Sequence, residues 1–445
     1  MKSYEERRRE GRALRETVPR SAHAVWEPPS SRVDPIAQLE VSNRRRVQEL
    51  VPIRYGRMLV SPFAFLRGSA VVMANDLAGT PTTGVRVQVC GDAHLANFGV
   101  FATPERNLFF DINDFDETLP GPWEWDVKRL AVSVGVAAAN LDIAQPMNGQ
   151  IVREAVQAYR RRMGELAQLG PLDVWYDRID VNRVLEIARE RKANDLKRAL
   201  RVAKARQRTS LTALPKLTTV VNGSRRIIDD PPLILHEASA DDHGAKMLGV
   251  YSESLPPDRR PLLERYSVLD TVRKVVGVGS VGTRCYLSLV MDADARAPLF
   301  LQVKEAMSSV VERHAGPSEF DHQGQRVVVG QRLMQAASDI FLGWTSDSDH
   351  DYYVRQFRDM KGSVNLDAMT ASGIASYATI CGQTLARAHA RSGDAVVISG
   401  YLGSGTRFDE AIADFAAAYA VQNDRDHAAL VAAAELGRVA AVMGK

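Results

Sequence analysis

Cys90-Gly91-Asp92-Ala93-His94-Leu95-Ala96-Asn97, followed sixteen residues on by Asn113-Asp114-Phe115-Asp116-Glu117, is the stretch on which the reading of this 445-residue chain turns. It comes directly after Val85-Arg86-Val87-Gln88-Val89, whose alternating, β-branched residues predict a strand. A strand that runs into a carboxylate-bearing loop makes poor core material. Charges are buried only beside a partner, and a bound cation is one such partner. Phosphoryl transfer needs a carboxylate at the attacking hydroxyl and oxygen ligands that hold magnesium against the phosphates. Asp92 suits the first role, and Asn97 with Asp114 the second. Asp111 and Asp116 bracket Asp114, so Asp116 is a further metal candidate. The plainer alternative is a turn in which Asp and Asn bond their own backbone.

A second constellation lies almost 200 residues later: Gly277-Val278-Gly279-Ser280-Val281-Gly282, then Tyr286, then Leu301-Gln302-Val303-Lys304. Glycines at this spacing are best known from dinucleotide sites, where a helix follows them. Here Thr283-Arg284-Cys285-Tyr286-Leu287-Ser288-Leu289-Val290 reads as a strand. Glycines between two strands make a hairpin loop whose backbone can sit over phosphates, and a lysine on the next strand can reach them. Gly277, Gly279, Ser280, Gly282 and Lys304 are therefore nucleotide-binding candidates; a purely structural glycine hairpin is the alternative. A Walker A loop is absent, because Gly79-Thr80-Pro81-Thr82-Thr83-Gly84 is followed by Val85-Arg86.

Around these motifs the chain alternates in character. Residues 1–50 are polar and arginine-rich and read as an arm or short helices lying on the main body. Residues 68–77 predict a helix, 108–112 a strand, and 126–141 and 149–169 helices. Residues 183–226 hold thirteen Lys or Arg against three acidic residues; a helix over 184–205 with a solvated charged face explains most of them, and an anion-binding surface is the alternative. Strand character returns over 272–290, split by the glycine loop, and over 299–303. A helix over 322–337 follows, then strand-like runs at 339–344 and 352–357. The remainder is helical, 372–390 and 408–443, with Thr406 and Asp409 at capping-box spacing.

Composition narrows the class. The chain is 45% hydrophobic and 25% charged, with a net charge of +3, too small to imply nucleic acid. The three cysteines show neither a disulfide framework nor zinc spacing, which fits a reducing, cytoplasmic setting. The charged N-terminus lacks the apolar run of a signal peptide, and the apolar stretch 130–144 is too short to span a membrane.

Gly91-Asp92-x-His94-x-x-Asn97 resembles the HGDxHxxN catalytic loop of aminoglycoside phosphotransferases and related kinase-like enzymes, with Cys90 in place of their first His. Asn113-Asp114-Phe115 resembles their metal-binding element, and residues 121–131 the stretch that follows it. The glycine loop and Lys304 resemble the kinase nucleotide-binding lobe, and Leu385-Ala386-Arg387-Ala388-His389 a helix found upstream of the catalytic loop. Almost the whole chain also resembles an uncharacterised bacterial family, through LVPIRYGRM (50–58), CGDAHLANFG (90–99), DINDFDETLPGPWEWDVKRLA (111–131), VGVGSVGTRCY (276–286), LQVKEA (301–306) and YYVRQFRDMKGS (352–363).

The resemblance implies an α+β, two-lobed protein kinase-like fold with a large helical lobe. The motif order is reversed, as a circular permutation would leave it. The expected parts are an N-terminal arm (1–50), a first section of the large lobe with the catalytic and metal loops (51–267), a small nucleotide-binding lobe (268–362) and C-terminal helices completing the large lobe (363–445). It implies ATP and Mg2+ as cofactors, Asp92 as base, Asn97 and Asp114 as metal ligands, and Lys304 on the α/β-phosphates. His94 supports the loop or acts in catalysis or as a ligand, and Glu312 is the favoured acidic partner of Lys304. Asp126 is either catalytic or a buried brace; Arg54, Arg57 and Arg67 either meet phosphate or are ordinary surface arginines. His389, Trp123 and Trp125 read as packed, and Arg391 with Asp394 as possible cleft residues.

The function expected is an ATP- and magnesium-dependent phosphotransferase acting on a hydroxyl acceptor, small molecule or protein, that the sequence does not identify. Nucleotidyl transfer on the same fold and a non-catalytic nucleotide-binding pseudokinase are the alternatives. A two-metal phosphoesterase is a minor one, since Asp92-x-His94 opens like that family but its later metal-ligand blocks are missing. No nucleic acid or membrane partner is expected, and oligomeric state is open.

Overall fold

The computed structural model describes residues 2–444 except 191, 192, 194, 197–201, 238–248 and 358. It is a mixed α+β structure whose strands are β1 (Arg86–Val89), β2 (Phe98–Ala102), β3 (Leu108–Ile112), β4 (Leu119–Pro122), β5 (Ile179–Asp180), β6 (Thr218–Val221), β7 (Ser224–Ile227), β8 (Ile234–Leu235), β9 (Tyr266–Lys274), β10 (Cys285–Asp292), β11 (Pro298–Glu305), β12 (Gly343–Ser346), β13 (Asp351–Gln356) and β14 (Gly362–Ser363). They form a six-stranded antiparallel sheet in the order β12-β13-β11-β10-β9-β8, a four-stranded sheet β14-β2-β3-β5, and the pairs β1-β4 and β6-β7.

The six-stranded sheet is buried on both faces, because its strands alternate between two apolar clusters. Val290, Leu299, Leu301 and Val303 join Tyr251, Phe341 and Tyr352 on one side. Leu287, Leu289, Met291 and Phe300 meet Ala213, Ile227 and Ile234 on the other. Period-two alternation puts Gln302 and Lys304 opposite Leu301 and Val303. The glycine loop, residues 275–284, joins β9 to β10 as the strand pattern predicts.

The largest core belongs to the helical part. Trp123–Asn140 is buried along most of its length, as the apolar stretch implies. Ala371–Ser392 packs along Gln145–Leu166, and Arg407–Glu435 covers both Trp123–Asn140 and Gln145–Leu166. Val327, Val328 and Met334 of the helix Gln323–Met334 belong to the same cluster, so the helix beside the six-stranded sheet is welded to the helical body. Among the described residues, no helix is long and apolar enough to cross a membrane.

Several boundaries differ from expectation. The helix expected over 68–77 is two helices, Pro62–Gly68 and Ala70–Leu77, broken at Ser69. The run 339–344 is strand only from Gly343, because the Asp339 carboxylate caps the turn at Phe341 N, 2.8 Å away. A short helix, Ala395–Leu402, follows Asp394, whose carboxylate accepts from Val396 N and Val397 N; the long helix after it ends at Glu435. Thr406 and Asp409 form no capping box: the Thr406 hydroxyl goes to Glu410, and Asp409 pairs with Arg160. A buried Arg outcompetes a local cap for the carboxylate. The basic segment supplies the amphipathic helix Val181–Glu190, with Val184 and Ile187 inward; the rest of the helix expected over 184–205 falls partly outside the described residues.

Candidate active site

β1 delivers Cys90 and Gly91 to the head of a loop that only glycine can begin. Gly91 has φ +78°, and a Cβ there would lie 2.3 Å from Glu117 O. The loop hangs from Asp126, in the first turn of Trp123–Asn140. Its carboxylate accepts from Cys90 N at 2.6 Å and Gly91 N at 2.9 Å, and is backed by His389 Nε2 at 3.2 Å, itself held by Tyr159. Asp126 is thus a buried brace, and His389 is packed behind it. Inside the loop, His94 N and Asn97 Nδ2 both donate to Asp92 O, at 2.8 and 2.7 Å. Tyr377 fastens the far end through Leu95 O and Phe98 O.

The Asp92 carboxylate is gripped on one oxygen only. Arg129 donates to Oδ1 through Nε at 2.9 Å and Nη2 at 2.6 Å. Oδ2 has His94 Nε2 at 3.6 Å, beyond hydrogen-bond reach. Burial pushes the His94 pKa down to about 4, so the ring is neutral at pH 7. Sequence reasoning passed over Arg129; the available signal was an arginine leading into the apolar part of its helix, which needs a buried acidic partner.

β3 ends at Ile112 and places the acidic run opposite the six-stranded sheet. Lys304, on β11, reaches both carboxylates: its Nζ lies 3.7 Å from Asp114 Oδ2 and bonds directly to Asp116 Oδ2. Tyr353, the cross-strand neighbour of Lys304 on β13, donates to Asp116 Oδ1 at 2.8 Å. Asp116 is therefore committed to Lys304, Tyr353 and, at 3.4 Å, Ser280 Oγ. Among the described residues, Asp114 Oδ1 is buried with no hydrogen-bond partner. Burial opposes ionisation of Asp114, but the charges of Lys304, Arg355 and Lys361 overcome it and hold its pKa well below the carboxylate range. Burial and the neighbouring Asp114 charge push Asp116 the other way.

Glu312 is not the partner of Lys304. Its Oε1 accepts from Ser318 N at 3.1 Å, and Asp116 fills the place expected for it. The reason lies in the helix Gln323–Met334, which presents Arg326 to the site instead of a carboxylate. That guanidinium donates to Asp116 O, Thr118 O and Met307 O, tying the acidic loop to the helix. Asp111 lies outside the cleft, in a buried ion pair with Arg387.

Asp92, His94, Asn97, Asp114, Asp116, Gly277, Gly279 and Ser280 line one cavity, so motifs far apart in the chain face each other. Gly282 stands behind its wall, with its carbonyl accepting from Val47 N at 2.8 Å. The N-terminal segment clasps the glycine loop twice more, through Arg46 Nη1 to Val281 O and Arg57 Nη1 to Gly277 O, both at 2.7 Å. Arg54 and Arg67 also line the cavity. Arg54 is buried and bonds Asn43 and Gly68 O, whereas the Arg67 Nε is buried without a partner among the described residues. Glu117 lines it too, and burial pushes its pKa up to about 7 although Val310 N donates to it. Arg391 and Asp394 take no part: the first stacks on Trp175 at 3.9 Å, and the second caps its helix.

The model of a family described as "Uncharacterized protein conserved in bacteria (DUF2252)" matches residues 45–433. No curated protein and no solved structure matches the chain.

Proposed function

The chain belongs to this bacterial family, and we propose that it is an ATP- and magnesium-dependent kinase-like phosphotransferase acting on a hydroxyl acceptor, built on a circularly permuted kinase-like arrangement. The observation that carries this reading is the meeting of Lys304 with Asp114 and Asp116 above the loop that holds Asp92 and Asn97. Asp92 and Asp114 line one cavity, and Lys304 stands behind its wall against Asp114 and Asp116; together they form the minimum set for positioning a phosphoryl donor.

The residues fit a divalent cation. Asp114 offers a buried oxygen with no partner. Asn97 spends its amide nitrogen on Asp92 O, which leaves its side-chain oxygen as the free end. Magnesium bound there would neutralise the phosphate charge. Asp92 would accept the acceptor's proton on Oδ2, the oxygen that Arg129 leaves unbonded, while Arg129 fixes its orientation. Lys304 would exchange Asp116 for the nucleotide phosphates. The glycine loop, pinned by Arg46 and Arg57, would cover them with backbone N–H groups.

Supplying ATP labelled at the γ- or the α-phosphate, with wild type and Asp92→Ala, tests the assignment. Transfer of γ-label, lost in the variant, is the expected result. Transfer of α-label would instead establish nucleotidyl transfer, and nucleotide binding without turnover of either label a pseudokinase.

A further inference from the structure

On the outer side of the helical body, the arginine-rich N-terminal helix Tyr4–Thr17 lies along Ala395–Leu402. Between them and Gln145–Leu166 opens a groove of about 460 Å3 that shares no residue with the cleft of Asp92. Six arginines line it: Arg8, Arg12, Arg15, Arg20, Arg160 and Arg161. No Asp or Glu does, among the described residues. Arg160 is neutralised by Asp409, to which its Nε and Nη2 donate at 2.9 and 2.8 Å. The other five guanidinium groups have no carboxylate within ion-pair distance among the described residues.

Two of these groups are held rigidly. Arg15 donates to Tyr401 O at 2.8 Å and also to Gly400 O, and Arg20 to Leu402 O at 2.7 Å, so both are anchored to carbonyls at the end of Ala395–Leu402. A Cβ on Gly403 would sit 2.7 Å from Arg15 Nη2 and 3.1 Å from Arg20 Nη1, which puts those nitrogens less than about 6 Å apart. Like charges held that close, with no anion between them, repel. Burial and the charges of Arg20 and Arg12 accordingly draw the Arg15 pKa below its ordinary value. The groove wall ends at Ser404 and Gly405, just before the helix Arg407–Glu435.

We propose that this groove binds a small molecule bearing two or more phosphate groups. Guanidinium forks match phosphate oxygens in pairs, and the volume falls in the range of small-molecule sites. The concave shape favours a compact oligophosphate over an extended polymer or a flat membrane surface.

Titration calorimetry of the full chain with inorganic tripolyphosphate, at physiological salt, tests this. Arg12→Gln/Arg161→Gln removes two exposed charges that have no hydrogen bond or ion pair among the described residues, and Lys304→Met disables the cleft. Saturable binding that weakens at least roughly 10-fold in the arginine variant and persists in Lys304→Met is expected. Binding that vanishes only in Lys304→Met would place the anion in the cleft and overturn the proposal. So would equal affinity in wild type and the arginine variant, or no response beyond that to sodium chloride of matched ionic strength. Binding to RNA or to phosphatidylserine vesicles without any to tripolyphosphate would overturn it in favour of a macromolecular or membrane surface. Arg12→Gln/Arg161→Gln should melt with wild type, which separates lost binding from lost folding.

Discussion

Arg129 holds Asp92 by a single carboxylate oxygen, through Nε at 2.9 Å and Nη2 at 2.6 Å, and makes no bond to the other. The arginine is almost wholly buried and also reaches Leu66 O at 2.6 Å, so it fixes Asp92 to the body of the molecule. Arg129→Met strands the Asp92 charge, and removing one partner of a buried pair costs on the order of 3 kcal/mol. A urea denaturation series should show that loss, and Arg129→Met/Asp92→Asn should recover part of it. Full additivity of the two changes would show that the pair is not coupled.

Asp114 and Asp116 are two residues apart yet differently committed. Asp114→Asn should weaken Mn2+ binding in the presence of nucleotide by at least about 10-fold, read by electron paramagnetic resonance, whereas Asp116→Asn should change it far less. The reverse order would exchange the roles assigned to the two carboxylates.

Lys304 has no glutamate from the helix beside the sheet, and its charge is answered by Asp116. Lys304→Met should abolish phosphoryl transfer from ATP. Lys304→Met/Asp116→Asn should be more stable to heat than Lys304→Met alone, because the double change removes a buried carboxylate left without its cation.

Arg67 lines the cavity shared by the Asp92 loop and the glycine loop, with a buried Nε that has no partner among the described residues. If it meets the transferred phosphate, Arg67→Ala should lower kcat by roughly 100-fold with a small change in nucleotide affinity. A proportionate rise in KM at constant kcat would assign it to ground-state binding instead.

His94 supplies a pH dependence whose sign is fixed by burial. Its folded pKa is about 4 against 6.5 for an exposed ring, so the unfolded chain binds the proton first as pH falls. The favourable contribution is complete above pH 6.5, is lost as pH falls towards about 4, and amounts to at most about 3 kcal/mol. His94→Gln should flatten the acid limb of stability against pH. An unchanged slope would mean that the loop opens before the ring titrates.

Much of the site was legible because its signals are local. The strand at β1, the carboxylate loop, the glycine hairpin between β9 and β10 and the lysine on β11 each declare themselves within about ten residues, through period-two alternation and turn chemistry. What failed was whatever depends on a partner far along the chain. Glu312, just before the expected helix, was the favoured acid, but the helix turns Arg326 inward, and Asp116 arrives from 188 residues away. The Thr406–Asp409 cap was overridden by Arg160, 249 residues from Asp409.

By itself, the sequence determined an α+β chain with a carboxylate-bearing loop after one strand and a glycine hairpin followed by a strand lysine, because backbone periodicity and side-chain chemistry are properties of short segments. Only the tertiary structure decided that the loop and the hairpin share one cavity, that Arg129 aims Asp92, and that Asp114 keeps a free oxygen while Asp116 takes the lysine. Those are choices among competing partners for a buried charge, and burial is a property of the whole fold.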